Sequence, residues 1–368
     1  MTDAAPVKQV DPEPPEDDDH EEQPALTITR RNLVVLGGFL LAAVAALYLL
    51  LPQLAGLEDT WKQIDDGRPE WIIAALLLTF GMFAGYVAMF RGVFLRAGSR
   101  IGWAASYQIT MAGLAASRLF AAGGAGGLVL TAWALRRSGM RKRTVADKTI
   151  SFLVLTYLPY TCGVIVCGFG LHWGLFKGQD PFSLTFVPAV AGVALLGGAL
   201  AIAFVPTDLQ RRLAPLAARE GRLAGVAQKL AAVPAATSAG IRDALEHLRS
   251  RDPALAGAVL FWAFQIAVLW AAFHAFGDAP PVAVLILAFF LGMLGNLLPM
   301  PGGVGGVEGG MIGAYAAFGV NGSLALVAVL VYRAFTFWLP LLPGVVAYFR
   351  LRRTVEHWKQ DRAAGAAA

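Results

Sequence analysis

The chain has 368 residues, 57% hydrophobic and 15% charged, where soluble domains carry about 25% charged residues. Its apolar residues come in blocks of about 20, the length that matches the hydrocarbon core of a bilayer. An ordinary soluble enzyme is excluded, and an all-α, multi-pass membrane protein is expected. The net charge of +5 hides two regions: residues 1–29 hold nine acidic residues against Lys8, and the rest of the chain has 29 basic against 16 acidic residues.

In chain order, residues 1–29 are acidic and Pro-rich from Asp11 to Pro24. That composition cannot bury apolar surface, so a disordered cytoplasmic tail is expected. A secretory signal would open basic and short, so the first apolar run, Leu33–Leu51, reads as a retained anchor. Apolar runs and their breakers predict further helices over Trp71–Leu95, Ile101–Phe120, Leu128–Leu135, Thr149–Phe169, Leu184–Val205, Ala254–Phe276, Val282–Leu298, Val307–Phe318 and Ser323–Phe349. Leu128–Leu135 and Val307–Phe318 fall short of the roughly 20 residues a span requires. They read as return arms of two Gly-rich re-entrant hairpins, beside about seven or eight transmembrane helices. Residues 30–353 would form the membrane domain, 206–253 a basic cytoplasmic loop or helix, and 354–368 a cytoplasmic tail. Cys162 and Cys167 lie on different faces of one apolar run, which points to packing residues and to neither a disulfide nor a metal site.

Orientation follows from the basic residues. With a cytoplasmic amino terminus, the inside segments hold 25 of the 30 Lys and Arg, and the outside loops hold Lys62, Arg68 and Lys177. Both termini are therefore expected in the cytoplasm. The remaining two, Arg118 and Arg333, sit inside apolar runs and become the first candidates for function. The stretch Leu209–Leu248 mixes seven basic residues, counted through Arg249, with Leu, Ala and Val. It reads as a surface helix against anionic lipid headgroups, with partner docking as the other reading. Nucleic acid is not expected, because aromatic residues for base stacking are absent there.

Two glycine clusters, Gly123-Gly124-Ala125-Gly126-Gly127 and Gly302-Gly303-Val304-Gly305-Gly306, stand 179 residues apart. The same displacement lays Ser117 over Asn296 and Ala122 over Pro301. By the charge count the first hairpin starts and ends inside and the second outside, so the chain reads as an inverted repeat. Such repeats, with broken helices meeting near the midplane, are a recurrent plan of transporters. Unpaired backbone at that depth is tolerated only in protein or beside a wet cavity, and helix amino ends favour anions. The other reading of the glycines is close helix packing.

Glu308 is the acidic residue of the second hairpin, and a charge at helix centre costs about 2.5–3.5 kcal/mol on insertion scales. Arg333, at a similar depth in the next helix, is its natural partner. A Glu308–Arg333 contact is predicted, either as part of a substrate site or as a lock between helices. Arg118 either receives an anionic headgroup or snorkels to the interface. Gln265, Tyr86, Arg91 and His274 are further candidates for the cavity wall.

The run LGNLLPMPGGVGGVEGGMIGAYAAFG from Leu294, the later VYRAFTFWLPLLPGVVAYF, the stretch Leu135–Leu155 and the stretch Trp262–Gly277 together resemble the lysylphosphatidylglycerol synthase transmembrane region, a flippase-like family. The resemblance covers roughly residues 33–353. It implies a membrane domain that moves phospholipid or a lipid-linked substrate between leaflets, with Pro301, Gly302, Gly303, Gly305, Glu308 and Arg333 at the matching positions. The first half departs from the pattern: where the family commonly has a proline, Gly-Glu and an arginine, this chain has Ala122, Gly127-Leu128 and Thr131. Bacterial synthases of this type carry a soluble transferase domain after the membrane part, and no such domain is expected here.

The first functional reading is therefore a lipid translocase of the bacterial cytoplasmic membrane. The absence of a P-loop implies movement down a gradient or coupled to protons through Glu308. The second is a scaffold or accessory subunit for a separate lipid-modifying enzyme or glycosyltransferase. An enzyme is not expected, since no zincin motif, nucleophile elbow or titratable cluster is present. No cofactor is expected either.

Overall fold

Apolar side chains at nearly every position leave the backbone in hydrocarbon with no partner but itself, and helices satisfy that demand segment by segment. In the computed structural model, which describes residues 67–95, 101–119, 125–204, 237–250, 252–298 and 300–367, the described residues contain helices and no strand. The acidic tail, the expected helix Leu33–Leu51 and the glycines Gly123 and Gly124 lie outside the described residues.

The elements are α1 (Pro69–Leu95), α2 (Trp103–Leu119), α3 (Ala125–Arg137), α4 (Lys142–His172), α5 (Phe182–Ala203), α6 (237–249), α7 (Pro253–Phe276), α8 (Val282–Met293), α9 (Gly306–Ala317), α10 (Gly322–Arg333) and α11 (Leu341–Ala367). Helix α8 tightens into a 3₁₀ turn over Leu294–Leu297, and a turn of π-helix, Ala334–Trp338, joins α10 to α11. Among the described residues, five elements are long and apolar enough to cross a membrane: α1, α4, α5, α7 and the continuous run Gly322–Gln360. Helices α2, α3, α8 and α9 have 17, 13, 12 and 12 residues. At 1.5 Å per residue they reach about 18–26 Å, short of a core of about 30 Å. They pair instead, α2 against α3 and α8 against α9, which are the two expected hairpins.

Several boundaries differ from the sequence reading. Helix α3 begins at Ala125, so Gly126 and Gly127 belong to a helix and not to an unwound loop. The reason is packing: a Cβ on Gly127 would collide with Ser117 Oγ and the Gly113 carbonyl of α2. The second hairpin is closed in the same way, Gly306 facing Gly295 and Gly310 facing Gly292. Helix α4 begins seven residues before Thr149, and α11 runs on to Ala367, so most of 354–368 is helix. Hydropathy marks where the bilayer ends, whereas the helices continue because Val145, Leu351 and Val355 still find a core to pack in. Of the expected Leu209–Leu248 helix, only α6 lies among the described residues. Its Ile241, Ala244 and His247 are buried, and Lys148 Nζ donates to Asp243 Oδ1 at 2.7 Å, so this end is docked on α4.

The repeat is visible in the placement of the elements. Val282 opens α8 179 residues after Trp103 opens α2, and Gly322 opens α10 180 residues after Lys142 opens α4. Packing is reciprocal: α1 lies along α7, α2 lies on α11, and α8 lies on α4. Each half thus lends the first arm of its hairpin to the other half's long helix. Glycines allow the central crossing, where a Cβ on Gly257 would lie 2.6 Å from the Met89 amide.

Candidate functional site

The site is built on the break between α8 and α9. Proline cannot supply an amide to a continuing helix, and three glycines, Gly302, Gly303 and Gly305, then adopt φ of 59°, 65° and 86°. Those angles cost an L side chain about 1–2 kcal/mol each. The turn places Asn296 Oδ1 where a Cβ on Gly303 would be, and the Phe337 ring where a Cβ on Gly302 would be.

Glu308 stands at the third position of α9 and uses both oxygens. Oε2 accepts from the Gly305 amide at 2.7 Å, which caps the helix, and Oε1 accepts from Arg333 Nε at 2.6 Å. The expected contact is present, in a setting where the two side chains are 1% and 6% exposed. Arg333 also donates through Nη2 to the Gly302 carbonyl at 3.2 Å and lies 4.1 Å from the Phe337 ring centroid. One arginine therefore ties the glycine turn, the start of α9 and the end of α10 together.

Arg118, from the end of α2, reaches the same place from the other half. Pro340 has no amide to offer the carbonyl four residues before it, Thr336 O, and the π turn shifts the register around it. Arg118 Nη2 donates to Thr336 O at 2.7 Å and Nη1 to Phe337 O at 3.1 Å. It does not snorkel: its guanidinium shares the Phe337 ring with Arg333, at 5.3 Å from the centroid.

A cavity of about 410 Å³ opens between the two hairpins. Its wall includes Arg118, Arg333, Ser117, Asn296, Gly127, Gly302 and Gly303, so both halves contribute. Gln265 and Tyr86 also line it, and Gln265 Oε1 accepts from the Tyr332 hydroxyl at 2.8 Å. Other sequence candidates stand elsewhere. Glu308, Gly305, Gly306 and Gly126 are not in the wall. His274 packs at a tilt against Trp71 and Trp270, and Arg91 lies over Trp103 and donates to Ser106. The sequence reading missed Thr131, Thr149, Thr156, Trp262 and Phe337, all in the wall. Their spacing is ordinary helix spacing, and only the closeness of Gly113 to Gly127 in the fold points to the face they share. No cluster of three or more metal-ligating side chains occurs among the described residues.

The model of the lysylphosphatidylglycerol synthase TM region matches residues 34–344. Curated relatives are UPF0104 membrane proteins from Methanothermobacter thermautotrophicus. One is 34% identical over 87 residues, 23% of this chain and 25% of the relative; another is 31% identical over 116 residues, 30% of this chain and 35% of the relative. The alignments thus span about a third or less of the curated relatives. The chain belongs to the lysylphosphatidylglycerol synthase TM region family.

Proposed function

We propose that this member of the lysylphosphatidylglycerol synthase TM region family is a translocase that carries a membrane lipid or lipid-linked substrate between the leaflets of a bacterial cytoplasmic membrane. The observation that carries the reading is a cavity walled by both hairpins, with Arg118 from one half and Arg333 from the other. Charge asymmetry puts both termini in the cytoplasm and makes the hairpins enter from opposite faces. Small opposed movements of two such hairpins expose one cavity first to one leaflet and then to the other, which is the rocking logic of inverted-repeat transporters. Both oxygens of Glu308 are already engaged, which supports movement down a gradient over proton coupling through this residue. The basic cytoplasmic segments hold the protein against anionic headgroups.

A second reading, a scaffold or accessory subunit for a separate lipid-modifying enzyme or glycosyltransferase, draws on the same enclosure of Glu308, as befits a helix lock. Leaflet protection of fluorescent lipids in proteoliposomes separates the two. Exchange by wild type that is lost in a folded Glu308→Gln variant supports the translocase. No exchange by the wild type with any phospholipid or polyprenyl-linked sugar supports the scaffold.

A further inference from the structure

Among the described residues, the charges around the cavity do not balance. Two guanidiniums flank the Phe337 ring, and one carboxylate, Glu308, answers Arg333 from behind the wall. Among the described residues, Arg118 donates to the Thr336 and Phe337 carbonyls and lies against the Phe337 ring, and the described lining residues include neither Asp nor Glu. A guanidinium carries five N–H donors. Among the described residues, Arg118 and Arg333 each spend two on the protein, which leaves further N–H groups to offer an oxygen-rich anion. The planar guanidinium fork matches phosphate geometry.

The rest of the described wall is neutral. Thr131, Thr149, Gln265 and Asn296 offer hydroxyls and amides, while Phe90, Phe94, Leu114 and Phe152 supply an apolar surface. Hydroxyls and amides pair with hydroxyls as both donors and acceptors, whereas an ammonium entering here would meet two fixed cations and no carboxylate among the described lining residues. The apolar surface favours a phosphate attached to acyl chains over a free one.

Resting on the translocase reading, we infer that the cavity is the headgroup site for a lipid phosphodiester with a neutral, hydroxylated substituent, held by Arg118 and Arg333. Amine-bearing headgroups are rejected by the same two cations. An aminoacylated phosphatidylglycerol, net positive through its lysyl amines, is thus a poor substrate for this chain.

The test is lipid binding to the purified full chain in detergent by native mass spectrometry, using phosphatidylglycerol, lysylphosphatidylglycerol and phosphatidylethanolamine of matched acyl chains. Phosphatidylglycerol should bind in preference to both others. Arg118→Gln should weaken it roughly tenfold, the loss of one charge-assisted hydrogen bond, and Arg353→Gln on the exposed surface should not. Thr131→Glu, which adds a carboxylate to the wall, should shift the preference toward lysylphosphatidylglycerol. Equal binding of all three lipids by wild type, or an Arg118→Gln loss no larger than that of Arg353→Gln, overturns the assignment. The wild-type series decides even where a variant fails to fold. Displacement of phosphatidylglycerol by millimolar inorganic phosphate would place a soluble anion in the site and also overturn it. Selective binding without leaflet exchange leaves the headgroup assignment standing and removes the translocase. Exchange that ignores headgroup charge does the reverse.

Discussion

Glu308 and Arg333 are worth separating into what they hold and what they touch. Removing one member leaves an uncompensated buried charge, which costs about 3–5 kcal/mol, whereas replacing both with apolar residues is often neutral. Glu308→Ala is therefore expected to lower stability by about that amount. The double variant Glu308→Met with Arg333→Met should recover most of the loss in thermal unfolding, yet remain inactive in leaflet exchange if Arg333 serves the cavity. Full exchange by the stable double variant would reduce the pair to a helix lock. From the sequence, this pair was legible because each charge stood alone in an apolar run. The partners of Arg118 were not: its acceptors are main-chain carbonyls freed by Pro340 and the π turn, and a backbone acceptor leaves no trace in residue identity.

Among the elements, the hairpins depend on backbone approach. Gly127→Val would drive a side chain into Gly113 and Ser117, and overpacking of this kind costs about 1–3 kcal/mol. Gly309 in α9 has open space around its Cβ position, so Gly309→Ala should be neutral or stabilising by up to about 1 kcal/mol through helix propensity. If both variants shift the unfolding temperature alike, glycine packing does not close the hairpins. Helix α6 is held differently. Burial alone would raise the Asp243 carboxyl, but hydrogen bonds from Lys148 and Ser151 and the charges of Lys148 and His247 together outweigh it and set it below the usual carboxylate range. A depressed carboxylate stabilises the fold above its unfolded value of about 3.9, and this contribution is lost as pH falls through the folded value. Asp243→Asn should therefore lower the unfolding temperature at pH 7 and lower it by less at pH 3. An equal loss at both pH values would assign the effect to packing and not to the Lys148 pair.

For the whole molecule, the two halves are interleaved, since α2 lies on α11 and α8 on α4. Neither half can bury its own hairpin arm without the other, so the fold forms as one unit around the cavity. The charge count puts residue 353 inside and residue 177 outside. In a Cys162→Ser, Cys167→Ser background, a cysteine at 177 should be labelled by an impermeant maleimide on intact cells, and one at 353 only after lysis. The reverse pattern would invert the orientation and with it the side from which each hairpin opens.

Apolar block length and the placement of Lys and Arg act locally, residue by residue, against a solvent of fixed thickness. The sequence by itself therefore determined the helical class, the two short-armed hairpins, the duplication and the Glu308–Arg333 pair. The contents of the cavity were decided by tertiary structure. Which side of a fully apolar helix faces a neighbour is invisible to hydropathy when lipid and protein interior are equally apolar. Only the glycine-mediated approach of α2 to α3, of α8 to α9 and of α1 to α7 turned Arg118, Thr131 and Gln265 toward one space and left Glu308 behind it.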